Sequence, residues 1–281
     1  MLHRIAENIM KQGRSIKSGL AAILAAASLS ADAKADDFVS DTDNAVTVSF
    51  EAGYQDNNLA RPGTDFTEGL QARGEGSSAV TFHPGAQLVT RGFLELDSLN
   101  YSDGNGENLV IDAGISELFE WAHRAENYAL NLGGGVDLDC RHETGNYLDV
   151  PITKTTCAVG PMIDFMVDSE YVNFGLSYAL GFGAIGNNIQ GYNDLMKHKL
   201  GLNLGSHIGP VDVEAYVLGE YNAAMEGAIN RENLFLYGGA NTKLWLQENV
   251  ALQLGYEYLW TYGEQDKVDS NTGRLGFVAR F

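Results

Sequence analysis

The sequence predicts an all-β protein, namely an antiparallel up-and-down β-barrel that spans a membrane. Apolar residues alternate with small or polar residues through most of the chain after residue 85, which is the period of a strand with two different faces. The longest apolar run lies near the N-terminus, and short and long polar connections alternate between the predicted strands. Such alternation is typical of membrane barrels, which have short turns at one end and longer loops at the other.

The C-terminal stretch, residues 249 to 281, shows the strand pattern most clearly. Between Val250 and Tyr262 one face is wholly apolar, with aromatic residues towards one end, and the other face is mostly small or polar. After a polar connection, Leu275, Phe277 and Phe281 again share one face. A soluble sandwich gives aromatic residues no reason to gather at strand ends, whereas Tyr and Trp collect at membrane interfaces. The pattern therefore favours a barrel whose apolar face meets lipid.

A last strand of alternating apolar residues that closes on a terminal Phe resembles the assembly signal of bacterial outer-membrane β-barrel proteins. Phe277 and Phe281 carry the resemblance, while Ala279 departs from it because such strands more often have a larger residue there. The resemblance is to a broad, porin-like class. It implies location in the bacterial outer membrane, contact with outer-membrane lipid and lipopolysaccharide, and assembly by the barrel-assembly machinery through the C-terminal strand.

Residues 1 to 35 have the order of a secretory signal peptide. Basic residues come first, an apolar run from Gly19 to Leu29 follows, and small residues between Ala31 and Ala35 offer a cleavage site. This run is too short for a membrane-spanning helix, which needs about 20 residues. We therefore expect residues 36 to 281 to form one exported barrel domain.

The charge balance is acidic, with 18 basic residues against 37 acidic ones. Removal of residues 1 to 35 takes away five basic and two acidic residues, which leaves 13 against 35. This excess speaks against nucleic acid or anionic lipid as a partner. The sequence also contains 33 Gly and five Pro, as expected of many strands that pass close to one another, and no motif in it predicts a cofactor.

Ten strands are predicted between Gly85 and the C-terminus, and Ala45 to Tyr54 is an eleventh. Because both chain ends are expected in the periplasm, the strand number must be even. We prefer twelve strands, with the unclear stretch Phe66 to Phe82 as the twelfth; the alternative is ten, with Ala45 to Tyr54 outside the barrel.

Two residues interrupt the alternating pattern of their strands. Glu117 predicts a bulge or a membrane boundary, and Pro161 predicts a kink or a bulge.

The predicted connections fall into two sets, and the short set is assigned to the periplasm together with Phe281. Short turns are predicted at 122–127, 168–170, 209–210 and 247–249, and longer polar loops at 100–108, 141–155, 184–194, 222–233 and 263–273.

The two cysteines, Cys140 and Cys157, flank the predicted loop from Arg141 to Thr156. In an exported protein, a pair of cysteines around a loop predicts a disulfide. A metal site is the weaker alternative, because His142 is the only other good ligand type beside them.

A charged interior follows from the strand register. A two-residue turn at Gly209-Pro210 places Lys199 opposite Glu220 and His207 opposite Asp212, all facing inward. The other candidates for lining the lumen follow from their strands' alternation. They are Lys197, Glu214, Glu257, Lys243, Asp137, Asp139, Arg91, Arg274 and Arg280, together with Glu95, Asp97, Asp112, Glu120 and Asp164.

Two functions compete for this interior. In the first, the charges line a narrow porin-like pore, and the acidic excess favours small polar or cationic solutes. In the second, they form a plug of ion pairs in a non-conducting structural or adhesive barrel. An outer-membrane hydrolase is the least favoured hypothesis, since Ser206 and His207 point to opposite faces and cannot form a dyad.

Two further motifs receive structural interpretations. The run Gly133 to Gly135 lacks the Lys-Ser/Thr sequel of a phosphate-binding loop, so it predicts close packing inside the barrel. Asp137 and Asp139 share one inward face near the outer end of a strand. We prefer a solvated rim there over a calcium site.

Overall fold

A computed structural model describes residues 39–57, 67–82, 85–101, 107–147, 150–187, 191–224, 232–263 and 268–281. The predicted signal peptide, residues 1 to 35, lies outside the described residues. Within the described ranges, no helix has the length and apolar character needed to cross a membrane.

Twelve strands make up nearly all of the described chain. They are β1 (Val39–Asn57), β2 (Thr67–Phe82), β3 (Ala86–Tyr101), β4 (Glu107–Arg124), β5 (Tyr128–Tyr147), β6 (Val150–Ser169), β7 (Val172–Asn187), β8 (Gly191–Ile208), β9 (Val211–Ala224), β10 (Glu232–Gln247), β11 (Val250–Gly263) and β12 (Val268–Arg280). The preferred number of twelve is therefore confirmed, and the unclear stretch supplies β2. The alternative of ten strands is wrong.

The strands form one closed antiparallel barrel in which each strand pairs with its neighbours in sequence and β1 pairs with β12. The closing seam runs from the pair Thr47 and Arg280 to the pair Asn57 and Ser270. Phe281 continues it, because its N–H donates to the Val46 carbonyl at 2.8 Å and its own carbonyl accepts from the Val46 N–H at 3.1 Å. A closed ladder of this kind leaves no unpaired strand edge.

The two faces of the barrel have opposite character. Along β11, the side chains of Leu254 and Tyr256 point outward and are 61% and 54% exposed, while Ala251 and Gln253 point inward and are buried. Large exposed apolar residues occur on strands all round the barrel, including Phe50, Leu88, Phe119, Ile163, Phe182, Leu200, Val217 and Leu275. We call this outward set the apolar belt. A continuous apolar surface of this size suits lipid and not water.

Short turns gather at one end of the barrel, as predicted. Residues 125–127, 170–171, 209–210 and 248–249 connect the strand pairs there. Gly209 takes a positive φ of 60°, which a two-residue hairpin turn requires. Phe281 lies at the same end, since the N–H of the preceding Arg280 donates to the Asn249 carbonyl in a short turn at 3.0 Å.

The long loops predicted at the other end are mostly strand. β5 continues to Tyr147 and β6 begins at Val150, so the predicted loop from Arg141 to Thr156 is wrong. The other long connections shorten in the same way. Strands of up to 20 residues exceed the roughly 9–11 residues that cross a bilayer. Apolar alternation ends where a strand leaves lipid, but ladder hydrogen bonds continue without it.

The predicted disulfide is confirmed between Cys140 and Cys157, although the residues between them are mostly strand and not an irregular loop. The two cysteines are direct cross-strand partners in the β5–β6 ladder. They share the outward face with Leu138 and Val159, which are 40% and 48% exposed. The bond therefore fastens two paired strands to each other on the outside of the barrel.

Pro161 does not produce the predicted bulge. The β6–β7 pairs on its two sides, Val159 with Phe182 and Met162 with Ala179, belong to one register. Pairing is interrupted only at residues 160 and 161, since proline has no N–H to donate.

Glu117 does not produce the predicted bulge, and its distance from Trp121 argues against a position at the membrane boundary. It pairs with Thr90 and Val136 in ladders that show no register shift, so there is no bulge. It lies four residues from Trp121, or about 10 Å along the membrane normal for a strand tilted by about 40°. Its exposed side chain therefore faces outward well inside the boundary marked by Trp121.

Close approach of β6 and β7 gives a first prediction. A Cβ added at Gly160 would lie 1.9 Å from the Leu180 carbonyl oxygen, whereas one at Gly238 would meet no atom within 4 Å. We expect Gly160→Ala to lower the free energy of unfolding by about 1–3 kcal/mol, measured by urea titration of the barrel in detergent micelles. Gly238→Ala is the matched control, and an equal effect of both substitutions would contradict the close approach.

Candidate functional site

Among the described residues, the largest cluster of ion pairs inside the barrel joins β5, β8 and β9. Lys197 Nζ lies 3.3 Å from Asp139 Oδ2 and 3.1 Å from Glu220 Oε2. Lys199 also contacts Asp139 and lies 3.7 Å from Asp137 Oδ2. Two lysines and three carboxylates thus form one connected network, which we call the lysine cluster.

Small residues beneath the lysine cluster make it possible. β6 and β7 lie between β5 and β8, and their inward residues there include Ala158, Gly160, Ala179 and Gly181. A Cβ added at Gly181 would come within 2.9 Å of the Ala158 Cβ, so this part of the wall is already tightly packed. Because the wall is flat, side chains from β5 and β8 can lie across it and meet.

The lysine cluster confirms one prediction and corrects another. Lys199 and Glu220 are direct ladder partners, so the predicted register is confirmed, but the Lys199 ammonium turns to Asp137 and Asp139 while Glu220 pairs with Lys197. The predicted solvated rim is wrong for Asp139, whose side chain is only 8% exposed, whereas the Asp137 side chain is 22% exposed.

The same contacts bear on the calcium alternative. The two lysine ammonium groups hold the positions beside Asp137 and Asp139 that a cation would take. Within the described ranges, no group of three or more His, Cys, Asp or Glu side chains could hold a metal ion.

A second cluster lies on the side of the barrel formed by β3 to β6. The Arg91 guanidinium donates to Asp164 Oδ2 at 2.5 Å and to Glu120 Oε1 at 2.6 Å. Gln87 Nε2 donates to the other Glu120 oxygen at 2.8 Å. Glu120 is 1% exposed, and its side chain lies over Gly133, where a Cβ would come within 2.8 Å of its Cγ.

A third cluster joins β2, β9, β11 and β12, on the side of the barrel away from the Arg91 cluster. Arg274 on β12 donates to Gln71 Oε1 on β2 at 2.8 Å and lies 3.6 Å from Glu257 Oε1 on β11. Tyr216 Oη on β9 donates to Glu257 Oε2 at 2.6 Å. The bond from β9 to β11 passes over Gly239, where a Cβ would lie 2.5 Å from the Tyr216 hydroxyl.

The short-turn end carries a smaller group around Asp212. His207 contacts Asp212 as the register predicted, and Trp245 Nε1 donates to Asp212 Oδ2 at 2.5 Å. The Arg280 guanidinium lies 4.7 Å from the centre of a Trp245 ring. Ser206 turns the other way and donates to the Tyr171 carbonyl at 2.9 Å, so it does not act with His207.

The two remaining candidates, Glu214 and Lys243, also lie on inward-facing ladder positions. Lys243 is the direct partner of Asp212 between β9 and β10, and Glu214 is the direct partner of Asn241.

Sequence reasoning missed several interior charges. Arg73 contacts Glu75 and lies 2.8 Å from Glu95, and Arg141 lies 2.7 Å from Glu143. Arg73 was missed because it falls in the stretch with the weakest strand signal. Arg141 was missed because it was assigned to a loop; extending the alternation of β5 past Cys140 would have placed it inward.

A cavity of about 290 Å³ lies in the interior beside the Arg91 cluster. At about 30 Å³ per molecule it has room for roughly ten waters. Its lining includes Thr47, Arg73, Glu75, Ser77, Arg91, Phe93, Ser116 and Asp137. Ala45, Ile115 and three glycines line it as well, so the cavity has both polar and apolar walls and the charged groups lie along part of it.

The interior ion pairs among the described residues lie along the wall. The longest, Arg91 to Asp164 and Lys197 to Asp139, join strands three positions apart, which is a quarter of the circumference. Twelve strands at about 4.8 Å spacing and about 40° tilt give a backbone radius of roughly 12 Å.

The closed antiparallel barrel, the apolar belt and the charged interior define the class: the fold is that of the outer-membrane β-barrels. The resemblance drawn from the last strand is therefore confirmed at the level of the fold.

Several solved structures resemble the chain at low sequence identity. The translocator domain of the autotransporter NalP from Neisseria meningitidis is 11% identical, with a TM-score of 0.42, over 99% of this chain and 98% of that one. The NanC porin is 11% identical, with a TM-score of 0.43, over 83% and 98%. The anion-selective porin from Comamonas acidovorans is 10% identical, with a TM-score of 0.36, over 86% and 99%. No family model matches the sequence, and no curated protein matches it.

Burial of the lysine cluster gives a second prediction. The Lys197 side chain is 6% exposed, so Lys197→Met leaves Glu220 without its closest cation and Asp139 with Lys199 as its remaining partner. We expect the free energy of unfolding to fall by about 3 kcal/mol, measured in the same micelle titration. Lys154, whose side chain is 44% exposed, is the control; Lys154→Met should cost roughly 0–1 kcal/mol. Equal costs would show that the cluster is not a buried network.

Proposed function

We propose that this chain is a narrow, passive, porin-like channel for small polar or cationic solutes. The observation that carries the proposal is the direction of the interior ion pairs. Among the described residues they join strands no more than three positions apart and lie against the wall, beside a cavity of about 290 Å³ that charged side chains line in part. A plug of side chains would instead join opposite walls at many levels.

The preference for cations rests on the charge of the wall. Carboxylates outnumber cations on the inward face, and some of them adjoin: Glu95 and Asp112 are direct ladder partners between β3 and β4. Asp97 lies two residues further along β3 on the same face, next to Gln71 of β2. In a narrow interior with low-dielectric walls, such a group raises the local concentration of cations and lowers that of anions.

The outer membrane of a bacterium is the location that this proposal requires. The apolar belt suits contact with outer-membrane lipid and lipopolysaccharide, and export would use the signal peptide predicted at residues 1 to 35. The C-terminal strand, with Phe277 59% exposed on its outward face, is the segment we assign to contact with the barrel-assembly machinery. The disulfide between Cys140 and Cys157 fits an oxidising, exported environment.

A second candidate function is a non-conducting structural or adhesive barrel. The observation that favours it is the complete burial of some inward apolar side chains, such as Leu118 and Leu195 at 0% and 1% exposure. These residues narrow the lumen on two sides. A hydrolase has less support, because His207 pairs with Asp212 and lies away from the Ser206 hydroxyl.

Conductance distinguishes the channel from the structural barrel. Folded protein added to planar bilayers should give stepwise currents, and a potassium chloride gradient should give a reversal potential that favours potassium. A silent membrane at high protein concentration, with protein whose heat-shifted gel migration shows that it is folded, would leave the structural barrel as the function.

Selectivity gives a third prediction. Replacing Glu95 and Asp112 together by Gln and Asn removes adjoining carboxylates from the wall, so the preference for potassium over chloride should fall, with the conductance itself retained. Glu248→Gln removes one carboxylate from a turn at the end of the barrel and should leave the ratio unchanged. If both variants shift the ratio equally, the wall charges do not set selectivity.

A further inference from the structure

Three polar residues form a line across the outward face of β2, β3 and β4. Ser78 is the direct ladder partner of Thr90, and Thr90 is the direct partner of Glu117. Beside them, Gly76 pairs with Gly92 on the same face. We call these five residues the polar row. It is a small, polar patch set into the apolar belt.

Lipid is a poor neighbour for the polar row. Glu117 is exposed, and the next outward residues on β4, Ile115 and Phe119, are 42% and 58% exposed and apolar. Its position about 10 Å inside the Trp121 level places its carboxylate in the hydrocarbon region. An ionisable group on a lipid-facing position there is costly without a partner.

The other end of the polar row holds a hydroxyl that lacks a partner. Ser78 points to the outward face, where it is only 8% exposed. Its Oγ is buried and forms no hydrogen bond among the described residues. A second molecule can reach this hydroxyl only after the Ser78 side chain rotates, whereas the neighbouring Thr90 is half-buried. The row therefore carries an unpaired donor at one end and an exposed acceptor at the other.

We propose that the polar row is an interface between two copies of this chain. A two-fold axis along the membrane normal, passing over β3, sets β2 of one copy against β4 of the other. The Glu117 carboxylate of each copy then accepts hydrogen bonds from the Ser78 or Thr90 hydroxyl of the other. Such a contact is self-complementary, as a two-fold interface requires.

The geometry of the row permits this contact. Ser78 and Glu117 are two strands apart, or about 10 Å, and strand tilt separates them by roughly 6 Å in height. That difference is comparable with the reach of a glutamate side chain, and Thr90 lies halfway between the two. The two glycines carry no side chain on the approaching face, so the backbones of two barrels can come close, as small residues allow in membrane interfaces.

A second copy explains the row better than another partner does. A lipid tail offers nothing to the carboxylate or to the buried hydroxyl. To bind a different protein, this surface would need only a donor or only an acceptor. The polar row presents both, with hydroxyl donors on β2 and β3 and the Glu117 carboxylate acceptor on β4. The inference does not depend on whether the lumen conducts.

The Glu117→Leu variant distinguishes an interface from a lipid-facing surface. It should weaken the dimer if the polar row is an interface, and it should stabilise the barrel if the row faces lipid. Sedimentation equilibrium of the full chain, folded in neutrally buoyant detergent, should show a monomer–dimer equilibrium. The substitution should raise the dimer dissociation constant roughly tenfold or more, since it removes hydrogen bonds to a charged group. Glu117→Gln keeps an acceptor oxygen and should lie between the two. On a lipid-facing surface, Glu117→Leu would instead stabilise the barrel and leave its mass unchanged.

A steric pair of variants tests the same surface without altering any charge. A Cβ at Gly92 would make only an ordinary contact, 3.6 Å from the Gly114 carbonyl, and one at Gly238 on β10 would meet no atom within 4 Å. Gly92→Phe should therefore fold and dissociate the dimer, while Gly238→Phe should fold and leave it intact. Heat-shifted gel migration reports the folding of each variant.

The outcomes decide the proposal in either direction. Dimers that are weakened by Glu117→Leu and by Gly92→Phe, and not by Gly238→Phe, support it. A monomer at every protein concentration overturns it, as do dimers that respond equally to both phenylalanine variants. Association only with a different protein also overturns it.

Discussion

Closure of the backbone ladder is the constraint on which the rest of this structure depends. In hydrocarbon no water is available for a free N–H or carbonyl group, so each strand must be paired on both sides. The chain meets this requirement by pairing β1 with β12 and by extending the seam to Phe281 and Val46. Once the ladder is closed, every strand has one face towards lipid and one towards the lumen. The alternation in sequence is the direct result.

The interior satisfies its charges locally. Strands with small inward residues, such as β6 and β7, lie between strands with long charged ones, so that lysines and carboxylates meet over a flat wall. Buried ion pairs contribute little net stability, because desolvation offsets much of their attraction. Their effect here is to fix where long side chains lie. Lys197 and Arg91 are held along the wall by two carboxylates each, which keeps them from the centre of the lumen.

Much of the fold could be predicted because lipid imposes a simple alternation. β7 was identified from its period alone, and the turn at Gly209-Pro210 gave the register of β8 and β9 correctly. The long loops were predicted wrongly because the apolar signal ends where the strands leave lipid. The side-chain partners of Lys199 were also missed. They depend on β5, which is three strands away, and no local pattern reports which distant strand a flexible side chain reaches.

The position of the disulfide has a consequence for how the chain is assembled. Cys140 and Cys157 are partners within a single hairpin, so the bond can form without the other ten strands. Once formed, it forbids β5 and β6 from slipping by even one residue, and such a slip would turn every lipid-facing side chain of the hairpin inward. Before the barrel closes, the disulfide can thus already fix the register of β5 and β6. The neighbouring strands can then pair with this hairpin in the correct register.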